Sequence, residues 1–335
     1  MLQKKNDRIL IVGGAGYIGS VLIKYLLKKN HKINVLDNLL YRNYFSIKLH
    51  QKNKNFKFIK GNFNNLIKFK KSLKNVSCVI FLAGLVGDPI SKKYPKKSRL
   101  INYYYIKKYF QRLNKFKINK LIFISSCSNY GLLTSNKLAK ESSKLKPLSY
   151  YAKDKVRVEN FLINNRKKFN FSTVILRFAT AFGNSPRMRF DLTINEFVRE
   201  LYFKKILSVY DPLTWRPYCH VKDFSMIIKK IIDKNFNSKL LSIYNCGNSK
   251  NNFTKKNIVD KILKYLPKSQ INYINSPGKD KRNYKVDFSK LEKELKVKTE
   301  YTVDDGIKEI ILALKKNKYN KKKNLYGNFK IFNNN

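Results

Sequence analysis

Residues 9–19 read Ile-Leu-Ile-Val-Gly-Gly-Ala-Gly-Tyr-Ile-Gly, and this stretch decides the fold. Its four apolar residues predict a strand buried on both faces, and the amphipathic segment at residues 17–29 predicts a helix directly after the glycines. Glycines at this G-x-x-G-x-x-G spacing permit a tight turn, close approach of a pyrophosphate and close packing of helix on strand. The first N–H groups of the helix attract phosphate, so the stretch predicts a dinucleotide site. Its contacts are expected from Gly13, Gly16, Tyr17 and Ile18.

An acidic residue, Asp37, follows the next predicted strand and stands 18 residues after Gly19. A carboxylate in this place binds the ribose 2′-hydroxyl and repels a 2′-phosphate, so it favours NAD over NADP. We expect the neighbouring Asn38 to contact the same cofactor. An alternative is that Asp37 only forms a turn, and the nearby Arg42 could weaken the preference for NAD.

Strand-like and helix-like segments alternate through the first half of the chain. The strand-like segments are residues 8–12, 32–36, 56–59, 76–82, 120–125 and 172–178. The helix-like segments between them are residues 17–29, 65–73, 99–116 and 150–165. Because this alternation builds parallel sheets with helices on both faces, the sequence predicts an α/β fold with a Rossmann-type doubly wound parallel sheet.

The pattern becomes looser after residue 179, which sets the predicted domain boundary. Residues 1–179 form the predicted NAD-binding domain, and segments near 220–246 are expected to return to it. Residues 180–335 form a smaller C-terminal α/β domain for the substrate. Its predicted helices and strands are residues 193–204, 207–210, a helix from 223, 240–244, 253–266 and 303–316. The Lys- and Asn-rich tail at residues 315–335 is expected to fray.

The composition limits the class of protein. The chain has 335 residues and a net charge of +51, but 60 Lys and 39 Asn against 12 Arg indicate a coding bias more than a nucleic-acid site, which favours Arg. No apolar run reaches the roughly 20 residues of a membrane-spanning helix, and no signal peptide is expected. The four cysteines stand apart without a CxxC pair, so the sequence predicts no metal site and a cytoplasmic protein. We expect neither a membrane partner nor a specific nucleic acid.

A tyrosine and a lysine, Tyr151 and Lys155, open the predicted helix at residues 150–165. Their spacing alone is weak, since the chain contains eight Tyr-x-x-x-Lys pairs. The context distinguishes this pair. Both side chains share one helix face, and the helix follows the serine-rich strand end at residues 125–131.

Together these motifs resemble an extended short-chain dehydrogenase/reductase of the NAD-dependent epimerase/dehydratase family, most of whose members act on nucleotide sugars. The resemblance covers residues 8 to about 313. Its motifs occur in the family's order: Gly13-x-x-Gly16-x-x-Gly19, Leu82-Ala83-Gly84, residues 125–131, Tyr151-x-x-x-Lys155, residues 176–180 and residues 216–223. Residues 185–191 resemble one subgroup of sugar-nucleotide epimerases and reductases.

The resemblance implies a catalytic set of Ser126, Tyr151 and Lys155. Tyr151 would be the general acid/base on a sugar hydroxyl, with its pKa lowered by Lys155 and the positive nicotinamide. Lys155 would also bind the cofactor ribose, and Ser126 would hydrogen-bond the reacting oxygen, with Ser128 assisting. An alternative is that Ser126 only satisfies the strand end. Further cofactor contacts are implied for Asn62, Leu82, Ala83 and Gly84.

One position departs from the family's dehydratases. Those enzymes carry an Asp-Glu pair directly after the catalytic Thr, whereas this chain has Cys127 and Ser128. The resemblance therefore does not imply dehydration. Cys127 is expected to be a small buried residue.

Arginines are informative in a chain with only 12 of them. A forked guanidinium suits a diphosphate, and the resemblance places Arg216 and Arg282 on the diphosphate of a nucleotide sugar. Arg187 and Arg189 lie in the loop that the family folds over this substrate, and Asn184 is expected to contact its sugar or phosphate. The alternative for each Arg is a solvated surface charge. His220 is expected to pack or cap a helix rather than to catalyse.

The leading hypothesis is an NAD-dependent 4-epimerase of a UDP-sugar or another nucleotide sugar. The second is a nucleotide-sugar 4-ketoreductase that uses the same residues. The third, motivated by the +51 charge, is a nucleic-acid-binding protein that reuses the fold. The resemblance also implies a homodimer that pairs through the helices at residues 99–116 and 150–165.

Overall fold

The computed structural model describes residues 7–133, 137–236, 240–275, 282–319 and 326–332. The strands are β1 (Arg8–Val12), β2 (Lys32–Asp37), β3 (Phe56–Lys60), β4 (Val76–Phe81), β5 (Lys120–Ser126), β6 (Ser172–Phe178), β7 (Thr180–Phe182), β8 (Ile206–Tyr210), β9 (Trp215–His220), β10 (Leu241–Cys246), β11 (Asn252–Thr254) and β12 (Gln270–Ile274). The α-helices are α1 (Tyr17–Lys28), α2 (Phe45–Lys48), α3 (Leu66–Ser72), α4 (Asp88–Lys93), α5 (Pro95–Arg99), α6 (Ile106–Leu113), α7 (Tyr150–Asn164), α8 (Thr193–Lys204), α9 (Val221–Asp233), α10 (Lys255–Leu263), α11 (Ser289–Leu295) and α12 (Val303–Lys315). None of the helices within these ranges is long and apolar enough to cross a membrane.

Seven strands form the central sheet in the order β10-β6-β5-β4-β1-β2-β3. Every neighbouring pair is parallel. Strands of this kind are buried on both faces, as in β4 and β6, where every residue is buried. The order reverses between β1 and β4, so the loops after these two strands diverge and open a crevice at the C-terminal edge. The predicted Rossmann-type doubly wound sheet is confirmed.

The chain after β6 begins a second, smaller region, returns to the central sheet with β10 and then completes the second region. The small sheets β11-β9-β7 and β12-β8 lie in this region, and α8, α10 and α12 share an apolar core with them. Helix α9 then packs on α1, with Phe224 stacked on Phe178 at 3.8 Å between ring centroids. Lys120 fastens this return, because its buried ammonium donates to the carbonyls of Ile231 and Ile232 at 2.7 and 2.8 Å. Strand β10 completes the sheet beside β6.

The predicted helix at residues 99–116 is helical without a gap as far as Leu113, but part of it is π-helical. Helix α5 passes into a π-helical turn, Leu100–Tyr105, before α6 begins. The turn holds the buried Asn102 against the loop after β4, where its amide bonds the N–H and the C=O of Leu85 at 2.8 and 3.0 Å. A π-helical turn often serves to position a side chain at a functional site, and this one supports a loop of the crevice.

Several short elements of the second region were not predicted. Strand β11 opens the segment at residues 253–266, which the apolar pattern predicted to be entirely helical. Thr254 ends the strand and caps α10, since its hydroxyl accepts the N–H of Asn257 at 3.1 Å. Strand β11 pairs with β9, and β12 pairs with β8. Such pairing joins distant segments, and the periodicity within one segment does not report it.

Residues 326–332 of the predicted tail pack on the rest of the protein instead of fraying. Residues 326–332 contain the apolar or aromatic side chains Tyr326, Phe329, Ile331 and Phe332 among polar neighbours. Asn328 and Ile331 are each only 6% exposed. Residues 320–325 and 333–335 of the predicted tail lie outside the described residues.

Candidate active site

A cleft of about 360 Å³ lies at the C-terminal edge of the central sheet, where the strand order reverses. The glycine-rich turn, the loops after β2, β4 and β5, and the second region line it. The predicted site residues that line it are Gly13, Gly16, Tyr17, Ile18, Asp37, Asn38, Asn62, Leu82, Ala83, Gly84, Ser126, Ser128, Tyr151, Lys155, Arg187, Arg189, Arg216 and Arg282. The fold therefore brings all but one of the predicted site residues to a single cleft.

The glycine-rich turn presents bare backbone to the cleft. Gly13 has a φ of +84°, and a Cβ there would lie 2.7 Å from the backbone of Ala83, so the turn requires glycine. Gly16 is the N-cap of α1, and no side chain stands over the first N–H groups of the helix. This surface fits the pyrophosphate of NAD, because it offers N–H donors and a close approach.

Asp37 holds the turn and also lines the cleft. Its Oδ2 accepts the N–H of Ala15 at 3.0 Å, and its Oδ1 accepts the N–H of Leu39 at 2.8 Å. Burial raises the pKa of this carboxyl, and the two N–H groups and Arg187 oppose the rise. Asp37 therefore forms a turn, as the alternative stated, and it also lines the cleft, while its contact with a ribose stays a prediction.

Tyr151 and Lys155 come from the first turns of α7, which begins where the hydroxyl of Ser149 accepts the N–H of Ala152 at 3.2 Å. The buried ammonium of Lys155 donates to the carbonyl of Ile124 at 2.6 Å. Burial lowers the pKa of Lys155 to about 8, and Glu159 opposes that change. The ammonium lies 5.8 Å from the centre of the Tyr151 ring.

The phenol of Tyr151 is held in its neutral form by its surroundings. Burial raises its pKa, and Arg189 is the group that opposes the rise most strongly. The lowering of this pKa that is expected from Lys155 and the nicotinamide together has to overcome this rise. Desolvation is the reason, and a positive charge beside the phenol is needed to reverse it.

Two hydroxyls, one at the end of β5 and one just after it, line the same cleft as Tyr151. The Oγ atoms of Ser126 and Ser128 lie 2.8 Å apart, and Ser126 Oγ also accepts the N–H of Ser128 at 3.1 Å. Cys127 points away from them, because its buried Sγ donates to the carbonyl of Arg177 at 3.1 Å. Burial raises the pKa of the Cys127 thiol, so it has the inert character expected of a small buried cysteine.

Arg187 lies at the Asp37 end of the cleft, although the loop position predicted a substrate contact. Its guanidinium stacks over the Tyr41 ring, 4.9 Å from the ring centre. Burial lowers its pKa to about 10, and its charge lowers that of Asp37. Arg187 therefore lies at the end of the cleft that Asp37 lines, because the loop folds back on Tyr41, and its contact with substrate stays a prediction.

Arg189 lies nearer the catalytic pair. It forms a forked ion pair with Asp191, with Nε–Oδ1 and Nη2–Oδ2 distances of 3.0 and 2.5 Å. Burial would lower the pKa of Arg189, but Asp191 outweighs that effect and raises it. Arg189 thus keeps a fixed positive charge on the side of Tyr151.

The two predicted diphosphate-binding arginines are neighbours in the structure. Arg216 Nη1 donates to the carbonyl of Trp215 at 2.7 Å and to the carbonyl of Arg282. Arg282 forms an ion pair with Asp88 at the start of α4. Both guanidinium groups line the cleft on the side of the second region.

Asn184 is the predicted site residue that does not line the cleft. Its side-chain oxygen accepts the hydroxyl of Tyr319, and its N–H donates to Glu309 at 2.5 Å. We therefore leave it out of the proposed site. His220 caps α9, since its Nδ1 accepts the N–H of Lys222 at 3.3 Å, and its Nε2 lies 2.6 Å from Glu309.

Sequence reasoning missed many of the residues that line the cleft, among them Tyr41, Asp88 and Asn328. The first two follow β2 and β4, so the rule that ligands bind after the strands of such a sheet could have found them. Asn328 gave no signal, because it lies in the tail. In the described ranges, no group of three or more His, Cys, Asp or Glu side chains could hold a metal ion.

Comparison with known proteins points to one family. The NAD dependent epimerase/dehydratase family model matches residues 9–247. The UDP-glucuronate 4-epimerase of Thermodesulfobacterium geofontis is 24% identical, over 92% of this chain and 96% of that protein. Two solved structures have the same fold. The first is UDP-glucuronic acid 4-epimerase from Bacillus cereus in complex with UDP-glucuronic acid and NAD, with a TM-score of 0.83 at 24% identity. This similarity covers 92% of the present chain and 99% of the Bacillus cereus chain. dTDP-glucose 4,6-dehydratase from Bacillus anthracis, with NAD, has a TM-score of 0.82 at 25% identity and covers 93% and 97%.

The position of Asp37 generates a prediction about cofactor preference. Wild-type protein is expected to bind NAD more tightly than NADP, because the carboxylate repels a 2′-phosphate. In Asp37→Ser, the ratio of the two dissociation constants should fall about tenfold, which corresponds to about 1.4 kcal/mol. Isothermal titration calorimetry with both cofactors measures this ratio.

Asn62→Ala is the matched control. Asn62 is predicted to contact the adenine, which NAD and NADP share, so this variant should weaken both cofactors alike and leave the ratio unchanged. Tighter binding of NADP than of NAD by wild-type protein would contradict the assignment of Asp37.

Proposed function

Because this chain belongs to the NAD dependent epimerase/dehydratase family, an enzyme family that uses NAD, we propose that it is a nucleotide-sugar epimerase acting at C4. The match confirms the resemblance drawn from the motifs. The observation that carries the proposal is that Tyr151, Lys155 and the Ser126–Ser128 hydroxyl pair line one cleft with the glycine-rich turn. A sugar hydroxyl between Tyr151 and Ser126 would meet one acid/base and one hydrogen-bond donor.

The acids of the cleft favour this chemistry over dehydration. Among the described lining residues, the carboxylates are those of Asp37, Asp88 and Asp191. Asp37 holds the glycine-rich turn, and the other two are paired with Arg282 and Arg189. Elimination of water needs a further acid and base at the sugar, and Cys127 and Ser128 stand where the dehydratases carry theirs.

The proposed chemistry gives each residue one task. Bound NAD would supply reversible hydride transfer with C4, so that the net reaction is redox-neutral. Tyr151 takes the C4 hydroxyl proton and later returns it. Because burial raises the pKa of Tyr151, its ionisation depends on nearby positive charge, and Arg189 supplies part of that charge. When the hydroxyl of Ser128 donates to that of Ser126, the hydroxyl of Ser126 can in turn donate to the reacting oxygen of the sugar.

Arg216 and Arg282 are proposed to bind the diphosphate of the substrate. They line the cleft together and present forked donors, which suit phosphate oxygens. The similar 4-epimerases act on UDP-glucuronate, so UDP-sugars are the first substrates to test. Arg282 would have to exchange Asp88 for phosphate on binding, because the two are paired in the structure.

A nucleotide-sugar 4-ketoreductase is the second candidate, since the same three catalytic residues would serve it. Incubation of the purified enzyme with UDP-, GDP-, CDP- and dTDP-sugars separates the two. An epimerase converts a sugar to its C4 epimer with no net change in NADH absorbance. Stoichiometric consumption of NADH by a 4-keto sugar, without epimer formation, would support the reductase instead.

Tyr151 and Lys155 are expected to act as a unit. Tyr151→Phe removes one oxygen and should lower turnover by ~10²–10⁴-fold with nearly unchanged NAD binding. Lys155→Met should lower turnover and also weaken NAD binding, because the ammonium is proposed to have two tasks. The double variant should be little worse than the more damaged single variant. Turnover of the active sugar nucleotide and NAD titration measure these effects.

Tyr25→Phe is the control for this series. Tyr25 has the same four-residue spacing to a lysine, Lys29, but lies on α1 outside the cleft. Its turnover should match that of wild type. If Tyr151→Phe retained more than about a tenth of wild-type activity, the assignment of Tyr151 as acid/base would be wrong.

We also propose a homodimer that pairs through α5–α6 and α7. These helices pack side by side, and Leu100 and Tyr104 on their surface are 40% and 53% exposed. Light scattering at micromolar concentration should give about twice the 39.6 kDa chain mass. Tyr104→Glu should give single chains, whereas Leu49→Glu, at a position 89% exposed on another surface, should not. A wild-type mass near that of one chain would contradict the dimer.

We propose a cytoplasmic location and no specific nucleic-acid partner. The four cysteines are free and buried, which suits a reducing compartment. RNA binding that is weak and falls steeply with salt would be only the response of any basic protein.

A further inference from the structure

The C-terminal residues 326–332, which we term the strap, cross between three loops that bound the cleft. From the first loop, at residues 187–190, Arg187 Nη2 donates to the carbonyl of Gly327 at 3.1 Å. The second loop follows β4, and Asn328 Nδ2 donates to the carbonyl of Val86 in this loop at 2.8 Å. To the third, which follows β2, Phe332 N–H donates to the carbonyl of Leu40 at 3.3 Å. The strap therefore joins loops that are distant in sequence.

Apolar contacts hold the far end of the strap. Ile331 is buried in one cluster with Leu85 and Ile90, and Leu40 packs against that cluster. The ring of Phe332 lies under the guanidinium of Arg42, 5.1 Å from its carbon. Burial of these apolar side chains favours the packed position of the strap.

Asn328 brings a polar group from the strap to the cleft. It is a lining residue and is only 6% exposed. Its Nδ2 donates a hydrogen bond to the carbonyl of Val86 at 2.8 Å, and its Oδ1 is the acceptor atom of the same amide. Arg187, which bonds the preceding residue of the strap, lies beside Asp37 and Tyr41. Asn328 thus offers an acceptor near the proposed ribose end of the cofactor site.

We propose that the strap is a wall of the cofactor site that retains NAD between turnovers, with Asn328 as its contacting residue. A dinucleotide lying between the glycine-rich turn and Asp37 is flanked by the loops after β2 and β4. The strap ties both loops together, so these loops cannot separate to release the cofactor until the strap detaches. Retention suits a redox-neutral reaction, but this inference rests only on the NAD site and not on the choice between epimerase and reductase.

The test is the rate at which bound cofactor leaves. NADH fluorescence is followed while excess NAD displaces NADH from wild-type protein, from a variant that ends at residue 325, and from Asn328→Ala and Ile331→Ser. Release should be at least about tenfold faster from the shortened protein and faster from both point variants. Lys330→Ala is the matched control, because Lys330 lies on the strap but is exposed, and its release rate should equal that of wild type.

Thermal unfolding without cofactor shows whether each variant is folded. If the shortened protein is unfolded, the release rates of Asn328→Ala and Ile331→Ser decide whether the strap retains the cofactor. Release rates within twofold of wild type in the folded variants would overturn the proposal. A substrate assay that showed NADH consumption would overturn the epimerase proposal, yet the comparison of release rates would still decide the role of the strap.

Discussion

A buried ion pair between Glu159 and Arg177 determines where the reactive groups of this protein meet. Arg177 Nη2 lies 2.8 Å from Glu159 Oε2, and both side chains are at most 3% exposed. Glu159 Oε1 also accepts Asn129 at 2.8 Å and the hydroxyl of Ser125. Because a buried charge that loses its partner is very costly, α7 cannot shift relative to β5 and β6. Tyr151, Lys155 and Glu159 share one face of α7, so the pair also sets the distance between Tyr151 and the serines of β5.

Local patterns were sufficient to predict the central sheet. The predicted segments 8–12 and 172–178 coincide with β1 and β6, because strands buried on both faces are continuous apolar runs with clear ends. The glycine spacing and the position of Tyr151 after a serine-rich strand end likewise located most of the cleft. These features are encoded within a few consecutive residues.

The features that sequence patterns did not predict depend on contacts between residues that are distant in the chain. Asn184 is held by Tyr319, which lies 135 residues later, and is thereby drawn away from the cleft. Arg187 packs on Tyr41 and so lies at the end of the cleft that Asp37 lines. In the strap, the polar composition of the tail concealed four apolar or aromatic residues whose partners, such as Leu85, lie far away in the chain. No periodicity within a segment reports such pairings.

The late return of the chain to its central sheet has a consequence for synthesis. Helix α9 and strand β10 follow the first part of the second region, which contains β7, α8, β8 and β9, yet they cover the edge of β6 and the apolar face of α1. A nascent chain that has not yet released residue 246 from the ribosome therefore exposes an unpaired parallel edge and an uncovered apolar helix face. Such edges attract other chains, so the interval before β10 emerges is when this protein is most prone to aggregate and most dependent on chaperones.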